Sequence, residues 1–482
     1  MNYIFFDTET NSGRLTADIL TISAFFCDKN FKLIEEFHCE ARLRKSRIYE
    51  IDSFLVNKLD PFDVDKFSNS NFDLTKKTND KFISWINKGP VLFCAHNGYS
   101  FDYMLFSQHL FANLFTWPWI FSTGNAKQID SLPIVQNFDF YSPNMIATEL
   151  NAKSNKMFKL ESLCKMNGFD MGKDSHTSKG DVIGMKSLME LLQSKNPDFY
   201  KKSLGFTNQK DVLSNIKEVD YFCHPETFFG RTRQFISSYI CEHPIYKSYH
   251  LVADLKHDWE KIFSEKSDRV LDKLLNSAPK KIRQIKAKKN PLILDKSFIT
   301  VSKKYNDDYS KLGDDLLKSR AEFIIKNRTE ISERLCNMIN YKHQDNNIDQ
   351  TPLLPEQMIF SLNASSDQKA LMNNYVLSKT IEEKRKIHKE FKGPIKHLSE
   401  MALLDKYDRE AFSDSDYNRI RSNISRRLLS TNKEVFPTIP DAMERIDTLR
   451  EENKNDKKKM QILENINAHL EGVTKDHEKY LK

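Results

Sequence analysis

Two acidic residues near the start of the chain have a spacing suited to binding a metal ion. The first apolar run ends in Phe6-Asp7-Thr8-Glu9-Thr10, and residues two apart on a strand point to the same face. Asp7 and Glu9 therefore present two carboxylates side by side, which is unfavourable unless a cation lies between them. Mg²⁺ is commonly bound through one or two carboxylates together with phosphate oxygens. By itself the pair is also compatible with a solvated turn.

Two later segments supply further acidic side chains and a histidine. The apolar run 91–95 leads through a turn to Asp102, which is predicted to lie in the first turn of a helix. Asp181 opens another helical pattern, and His176 lies on the loop before it. Taken alone, Asp102 could serve the helix dipole and His176 could be an ordinary loop residue. Their order along the chain favours one shared metal site.

The elements that must position these residues begin with a predicted α/β domain that has a mixed sheet. Within residues 1–200, short apolar runs come first and then alternate with helical patterns. Strands are predicted at 3–6, 19–27, 31–37 and 90–95, and helices at 75–88, 101–114, 158–167 and 180–194.

Beyond residue 200 the pattern changes twice. Short aromatic or β-branched runs alternating with helices predict a smaller α+β domain, which ends near Pro352 and Pro355. Its strands are predicted at 235–240, 248–254 and 291–301, and its helices near 257–277 and 310–340. After residue 360 nearly everything reads as helix, and 440–480 is predicted to form a helical hairpin.

The composition is that of an ordinary globular protein, with 39% hydrophobic and 29% charged residues. A chain of 482 residues is too long for one hydrophobic core. The formal charge is +7, and basic clusters at 280–289 and 384–389 could attract a polyanion. A solvated basic face is the alternative interpretation of either cluster.

The cysteines and the N-terminal residues predict a cytoplasmic protein without a membrane partner. The seven cysteines have no CxxC spacing, so we expect small buried side chains in a reducing compartment. The N-terminal residues lack the features of a signal peptide, and no apolar stretch reaches the length of a membrane span.

The order of the motifs resembles that of the DEDD exonuclease superfamily, in the subgroup with a histidine before the last aspartate. That pattern is Asp-x-Glu, then Asn-x-x-x-Phe-Asp, then His-x-x-x-x-Asp, and it matches Asp7 and Glu9, Asn97, Phe101 and Asp102, and His176 and Asp181. Three further stretches are similar to bacterial exonuclease I, namely Phe158-Lys159-Leu160-Glu161, Phe228-Phe229-Gly230-Arg231-Thr232 and residues 455–463.

The resemblance implies a fold, an activity and partners. The fold would be a ribonuclease H-like exonuclease domain at 1–200, an SH3-like nucleic-acid-binding domain at 205–348 and a helical domain at 352–482. The activity would be processive 3′→5′ hydrolysis of single-stranded DNA to mononucleotides with two Mg²⁺ ions, for which Mn²⁺ would substitute. The partners would be single-stranded DNA and the C-terminal tail of single-stranded DNA-binding protein, and the protein would be a monomer.

A two-metal hypothesis gives each catalytic candidate a role. Asp7 would bridge both ions, Glu9 and Asp181 would complete the ion that binds the attacking water, and Asp102 would hold the second ion. His176 would take a proton from the water. The expected substrate contacts are Thr10, Asn97, Phe101, Lys159, Phe229, Arg231 and Arg233.

The sequence departs from the family pattern at three places. Asn11-Ser12-Gly13 stands where the family has an aromatic residue and glycine, so the terminal base would be held differently. Lys159 replaces an arginine, which keeps the charge and loses bidentate phosphate pairing. Arg231 directly follows Gly230, so either Arg231 or Arg233 could fill the role of the family's arginine.

Two other functions remain open at this level. One is an RNA-directed 3′→5′ exonuclease of the same superfamily, although such chains usually end where the first block ends here. The other is a catalytically silent protein that binds single strands, which the presence of all five catalytic groups argues against.

Overall fold

The computed structural model describes residues 1–169, 171, 177–300, 309–345, 353–432 and 434–481. The chain divides into two compact units. The first unit comprises residues 1–127, 171–183 and 352–482, and the second comprises 128–170 and 184–351. The helical residues from 352 onward therefore belong to the same unit as the N-terminal sheet, and the division into three domains stays a prediction.

The first unit contains a mixed five-stranded sheet with the order β3-β2-β1-β4-β5. Its strands are β1 (Asn2–Thr10), β2 (Ile19–Cys27), β3 (Leu33–Glu40), β4 (Val91–Ala95) and β5 (Ala126–Asp130), of which β5 continues into the second unit. β1 pairs antiparallel with β2 from Tyr3 to Thr10, whereas it pairs in parallel with β4 only from Asn2 to Phe5. The end of β1 therefore extends beyond the carboxyl end of β4.

Aromatic side chains fill the core between this sheet and its helices. β2 and β4 are buried on both faces, which agrees with their continuous apolar sequences. The Phe6 and Phe121 rings stack 5.2 Å apart, and the Phe93 ring meets Phe121 edge-on at 4.9 Å. This packing fixes β1 and β4 relative to each other along the part where they pair, before β1 extends beyond β4.

The remaining elements of the first unit are helical. They are α1 (Ile51–Val56), α2 (Pro61–Val64), α3 (Asn71–Ile86), α4 (Asp102–Ala112), the start of α7 (Ser178–Lys195), α14 (Ser366–Leu377), α15 (Ile381–Glu390), α16 (Gly393–Tyr407), α17 (Asp414–Leu428), α18 (Ile439–Asn453) and α19 (Lys457–Glu478), with 3₁₀ turns at Ile120–Ser122, Pro355–Phe360 and Asp408–Ala411. Apolar residues of α1 pack with those of α17, α18 and α19 in one buried cluster. The C-terminal helices thus share a hydrophobic core with the N-terminal part of the chain.

The second unit combines an antiparallel four-stranded sheet with helices. Its strands are β6 (Glu149–Leu150), β7 (Lys156–Met157), β8 (Phe222–Phe228), β9 (Arg231–Glu242), β10 (Tyr249–Asp254) and β11 (Ile282–Lys286), of which the last four form the sheet in the order β11-β10-β9-β8. Its helices are α5 (Ser131–Tyr141), α6 (Leu160–Met166), the rest of α7, α8 (Pro197–Ser203), α9 (Gln209–Lys217), α10 (Trp259–Phe263), α11 (Asp268–Asn276), α12 (Gly313–Lys326) and α13 (Arg328–Asp345), with 3₁₀ turns at Ala287–Lys289 and Lys296–Thr300.

The predicted fold class is confirmed. The first unit has the expected mixed sheet, the second has the expected α+β character, and the residues after 360 are helical. The stretch 440–480 forms the predicted helical hairpin, α18 and α19, with its turn in the charged interruption after Asn453.

Several element predictions were wrong in detail. A strand was predicted at 291–301, whereas the described residues 291–300 form a single bridge at Leu294 and then a 3₁₀ turn. The chain turns because the Asp295 carboxylate accepts a hydrogen bond from the Ser297 amide. The predicted helix at 257–277 is two helices, since Ser267 caps a new helix inside it. The helix predicted at 310–340 is likewise divided at Asn327.

Some elements were missed. β11 lies inside the basic run 280–289, for which the sequence predicted only a charged cluster. β5 and α5 were also missed; Asp130 ends the strand and caps the helix with its own carboxylate.

Candidate active site

The candidate metal ligands lie in the first unit, where β1 projects beyond the carboxyl end of β4. Asp7 and Glu9 are on this projecting part, and a β-bulge between Glu9 and Thr10 interrupts the pairing with β2. Asp102 is the first residue of α4, the helix that follows β4. Asp181 lies in the first turn of α7. The carboxyl end of parallel strands is where α/β folds usually place their ligands.

The carboxylates are crowded. Asp7, Glu9 and Asp181 each offer an oxygen within 4.8 Å of the others. Burial, followed by the charges of Asp102, Asp181 and Glu9, raises the pKa of Asp7 well above its usual value. Burial and the charges of Asp181 and Asp102 raise the pKa of Glu9 to about 8. Asp102 therefore acts electrostatically on the same cluster.

The chemistry of this donor set fits a hard divalent cation. All the candidate ligand atoms are carboxylate oxygens, which suit Mg²⁺ and Mn²⁺ rather than zinc or copper. Burial, followed by the charges of the neighbouring carboxylates, disfavours the ionised forms of Asp7 and Glu9 and raises their pKa values. A bound cation would stabilise the ionised forms. Of the four predicted carboxylates, the structure thus brings Asp7, Glu9 and Asp181 together, and Asp102 lies near enough to act on Asp7 and Glu9 electrostatically.

Side chains around the ligands hold their elements in place. The Ser178 hydroxyl, at the start of α7, lies 3.1 Å from the Thr21 hydroxyl and 2.9 Å from the Ser23 hydroxyl of β2. These contacts anchor the helix that carries Asp181 to the sheet. Thr8 bonds to Asp102, and Asn57 bonds to Glu9. Sequence reasoning missed all of these residues, because hydroxyl and amide side chains carry no recognisable spacing of their own.

The departure at Asn11 has a structural explanation. Asn11 is buried, and its Nδ2 donates a hydrogen bond of 3.0 Å to the Ile48 carbonyl while its Oδ1 accepts one of 2.8 Å from the Asp18 amide. The side chain therefore joins three segments of the unit. It does not offer a surface on which a base could stack.

The structure places the other predicted contacts of the first unit as follows. The buried Thr10 hydroxyl donates to the Ser12 carbonyl at 2.8 Å. Asn97 is exposed and left-handed, with φ 63°, in the turn after β4. Phe101 precedes α4 and packs against the apolar core. His176 lies outside the described residues.

The remaining predicted contacts belong to the second unit. Lys159 is exposed at the N-terminus of α6. Phe228 pairs with Arg231, so Phe229 and Gly230 form a two-residue hairpin turn between β8 and β9. Both turn residues have positive φ, 51° and 73°, as a type I′ turn requires.

The tip of this hairpin is shaped by contacts within the second unit. The Phe229 side chain is 90% exposed. The Nε of Arg231 donates a hydrogen bond of 2.8 Å to Oδ1 of Asn155. Arg233 is exposed two residues further along β9, so it lies on the same face as Arg231. The hairpin thus presents the Phe229 ring at its tip and the cations of Arg231 and Arg233 on β9.

Comparison with solved structures identifies the fold. Exonuclease I from Methylocaldum szegediense superposes with a TM-score of 0.80 at 13% identity, covering 98% of this chain and 99% of that chain. E. coli exonuclease I in complex with a dA16 oligonucleotide gives 0.81 at 14% identity with the same coverage. The chain has the fold of exonuclease I. A complex of exonuclease I with SSB-Ct also matches, with a TM-score of 0.78 at 13% identity and the same coverage.

The exonuclease I fold confirms the resemblance that the motifs indicated. The sequence matches no protein-family model and no curated protein. All seven cysteines are free thiols, five of them buried. Within the described part of the chain, no helix is both long enough and apolar enough to cross a bilayer.

Proposed function

We propose that the protein is a 3′→5′ exodeoxyribonuclease that hydrolyses single-stranded DNA to 5′-mononucleotides. The observation that carries the proposal is the meeting of Asp7, Glu9 and Asp181 within 4.8 Å. Such a cluster needs a cation, and phosphodiester hydrolysis is a reaction that carboxylate-bound cations serve. The fold adds support, since the E. coli exonuclease I of the same fold was crystallised with a dA16 oligonucleotide.

The four carboxylates have separate tasks in this proposal. Asp7 would contact both of two divalent ions, with Glu9 and Asp181 completing one of them and Asp102 holding the other. When bound, the ions would supply charge compensation at the phosphate and a more acidic attacking water. His176 would accept the proton of that water as general base. The rest of the site keeps the carboxylates oriented through Thr8 and Ser178.

The hairpin between β8 and β9 is our candidate for binding the single-stranded DNA. A phenylalanine in the left-handed region is strained, and such strain is commonly retained where it serves a function. Phe229 offers an exposed ring on which any base can stack, and Arg231 and Arg233 offer charges to phosphates. Lys159, Thr10, Asn97 and Phe101 stay proposed substrate contacts, with the Thr10 hydroxyl already engaged with Ser12.

The decisive experiment is a time course with the full-length protein on single strands. DNA and RNA oligomers of one sequence, each labelled at the 5′ or the 3′ end, are incubated with Mg²⁺ or with EDTA. We expect Mg²⁺-dependent release of mononucleotides from the 3′ end of DNA. Mn²⁺ should replace Mg²⁺. Faster loss of RNA would move the proposal to an exoribonuclease, and absence of any cleavage would leave a binding protein.

Variants connect the activity to the site. Asp7→Ala and Asp181→Ala should abolish cleavage and leave DNA binding in EDTA largely intact. Asp80→Ala is the matched control, because Asp80 is an exposed carboxylate on α3 that pairs with Lys76 at 2.6 Å, away from the cluster. Cleavage by Asp7→Ala at the wild-type rate would contradict the assignment of the site.

The C-terminal tail of single-stranded DNA-binding protein is proposed as a second partner. The support is the solved exonuclease I complex with SSB-Ct, which has the same fold. A fluorescent peptide with the C-terminal residues of the host's single-stranded DNA-binding protein should show saturable binding by anisotropy. A peptide with the same residues in scrambled order is the control, and equal binding of both would contradict this partner.

A further inference from the structure

Asn57 lies at the end of α1, next to one carboxylate of the candidate metal site. Its Nδ2 donates a hydrogen bond of 2.6 Å to Oε2 of Glu9. A bond to one carboxylate oxygen fixes the rotation of the carboxyl group and leaves Oε1 in a defined direction. We propose that Asn57 is a positioning residue that holds Glu9 ready to bind a divalent cation. This inference rests on the proposed function, since it concerns the same site.

A neutral amide suits this position electrostatically. Asp7, Glu9 and Asp181 already crowd three carboxylates together, so a further acid would add repulsion. A lysine would place a fixed positive charge where the cation should bind. The asparagine NH₂ donates a hydrogen bond without adding net charge. Partners of this kind, one shell outside the metal ligands, typically change metal affinity by about 10–100-fold when they are removed.

The backbone at the end of α1 holds Asn57 rigidly. The Asn57 amide donates to the Ser53 carbonyl at 3.0 Å. Lys58 is left-handed, with φ 53°, and the Leu59 amide donates to the Phe54 carbonyl at 3.0 Å. This pattern is a Schellman-type helix end, and it directs the Asn57 side chain out of the helix towards Glu9.

The C-terminal helical hairpin in turn holds α1. Phe54 is fully buried, and its ring stacks 4.1 Å from that of Tyr49. The Tyr49 hydroxyl lies 2.9 Å from Nδ1 of His469 on α19. On the outer side, Arg445 of α18 makes hydrogen bonds of 2.9 and 2.7 Å to the two carboxylate oxygens of Asp52. Helices distant in sequence thus stabilise the element that carries Asn57.

The segment before α1 is tied to the strand that carries Glu9. Besides its bond to Ile48, Asn11 accepts a backbone hydrogen bond of 2.8 Å from the Glu50 amide. Glu50 precedes α1 directly and also accepts a bond of 3.1 Å from the Gly13 amide. The segments that carry Asn57 and Glu9 are therefore also linked close to the contact, between residues 11–13 and residues 48–50, which supports the 2.6 Å bond.

The test measures metal binding without DNA. Mg²⁺ is titrated calorimetrically into the full-length wild type and into Asn57→Leu, which keeps the approximate shape and removes the donor. We expect the dissociation constant to rise about 10–100-fold in Asn57→Leu. Asn57→His should restore part of the affinity at pH 8, because its Nδ1 lies the same number of bonds from the backbone as Nδ2 of asparagine.

Asn467→Leu is the matched control. Asn467 on α19 donates an equivalent bond of 2.8 Å to Glu471, which lies outside the metal cluster. This variant should bind Mg²⁺ as the wild type does, and thermal unfolding should show that all variants are folded. A folded Asn57→Leu protein whose Mg²⁺ dissociation constant is within twofold of the wild-type value would overturn the inference, as would an equal loss in Asn467→Leu.

The cleavage assay separates this inference from the proposed function. If the wild type degrades DNA and Asn57→Leu binds Mg²⁺ normally, the inference is wrong and the exonuclease proposal stands. If the wild type binds Mg²⁺, Asn57→Leu binds it weakly and neither cleaves nucleic acid, the positioning role stands and the exonuclease proposal is wrong.

Discussion

The Thr8 hydroxyl donates a hydrogen bond of 2.7 Å to Oδ1 of Asp102, and both residues are buried. The bond joins the projecting end of β1 to the first turn of α4. It also gives a buried carboxylate a neutral donor in a region where the other charges are negative. A threonine between two proposed metal ligands thus positions a third.

Removing this donor should destabilise the first unit. Thr8→Val keeps the shape of the side chain and leaves a buried carboxylate oxygen without that bond. We expect the free energy of unfolding in EDTA to fall by about 1–3 kcal/mol. Urea denaturation measures the change. Thr116→Val is the control, because the hydrogen bond that it removes, to Asn373, is exposed. Its free energy of unfolding should differ from the wild-type value by no more than about 0.5 kcal/mol. Equal losses in both variants would contradict a special role for Thr8.

The crowded carboxylates predict that the metal-free protein loses stability as pH rises. The pKa of Glu9 is raised from 4.5 to about 8. Between these two pH values, the Glu9 carboxyl group therefore keeps its proton in the folded state and has lost it in the unfolded state. The contribution of Glu9 to the free energy of unfolding is therefore fully present below pH 4.5 and is lost as the pH rises to 8. The slope is up to about 1.4 kcal/mol per pH unit.

Urea denaturation in EDTA at several pH values measures this slope. Glu9→Gln cannot titrate, so its stability should fall less steeply than that of the wild type between pH 5 and 8. Added Mg²⁺ should flatten the wild-type slope, because a cation replaces the proton in compensating the cluster. Parallel curves for wild type and Glu9→Gln would show that Glu9 is not perturbed.

Phe229 should contribute to DNA binding and not to stability. Its ring is 90% exposed, so Phe229→Ala removes little packing. Loss of one stacked base should weaken binding by about 1–3 kcal/mol, measured by anisotropy of a labelled single strand in EDTA. Tyr341→Ala, at a 67% exposed aromatic residue on α13, should bind as the wild type does. Unchanged affinity in Phe229→Ala would remove the hairpin from the proposed interface.

Glycine is required at position 230 because the hairpin tip has no room for a Cβ atom and because the backbone φ is positive. A Cβ at this position would lie 2.2 Å from the Lys156 carbonyl oxygen, and φ is +73°. Gly168 has nearly the same φ, +72°, with no atom within 4 Å of its Cβ position. Gly168→Ala therefore measures the backbone cost alone, about 1–2 kcal/mol.

We expect Gly230→Ala to lose at least about 1 kcal/mol more than Gly168→Ala in urea denaturation, because the backbone at Lys156 must move. DNA binding should also weaken, since the turn carries Phe229. Equal stability of the two variants would show that the hairpin adapts without cost.

The positions of the candidate carboxylates could be predicted from the sequence because they follow local rules. Alternation on β1 places Asp7 and Glu9 on one face, and the patterns of α4 and α7 place Asp102 and Asp181 in first turns. Continuous apolar runs likewise predicted β2 and β4. Short elements such as β5 and β11 were not predicted, because they contain few apolar residues.

The class of the fold, and the acidic candidates with their order along the chain, follow from the amino-acid sequence. The neutral side chains that contact these candidates become apparent only in the folded chain. Asn57 meets Glu9 across 48 residues and Thr8 meets Asp102 across 94, and no periodicity links positions so far apart. Local propensity sets each element, whereas the partner of a buried carboxylate depends on how the elements pack.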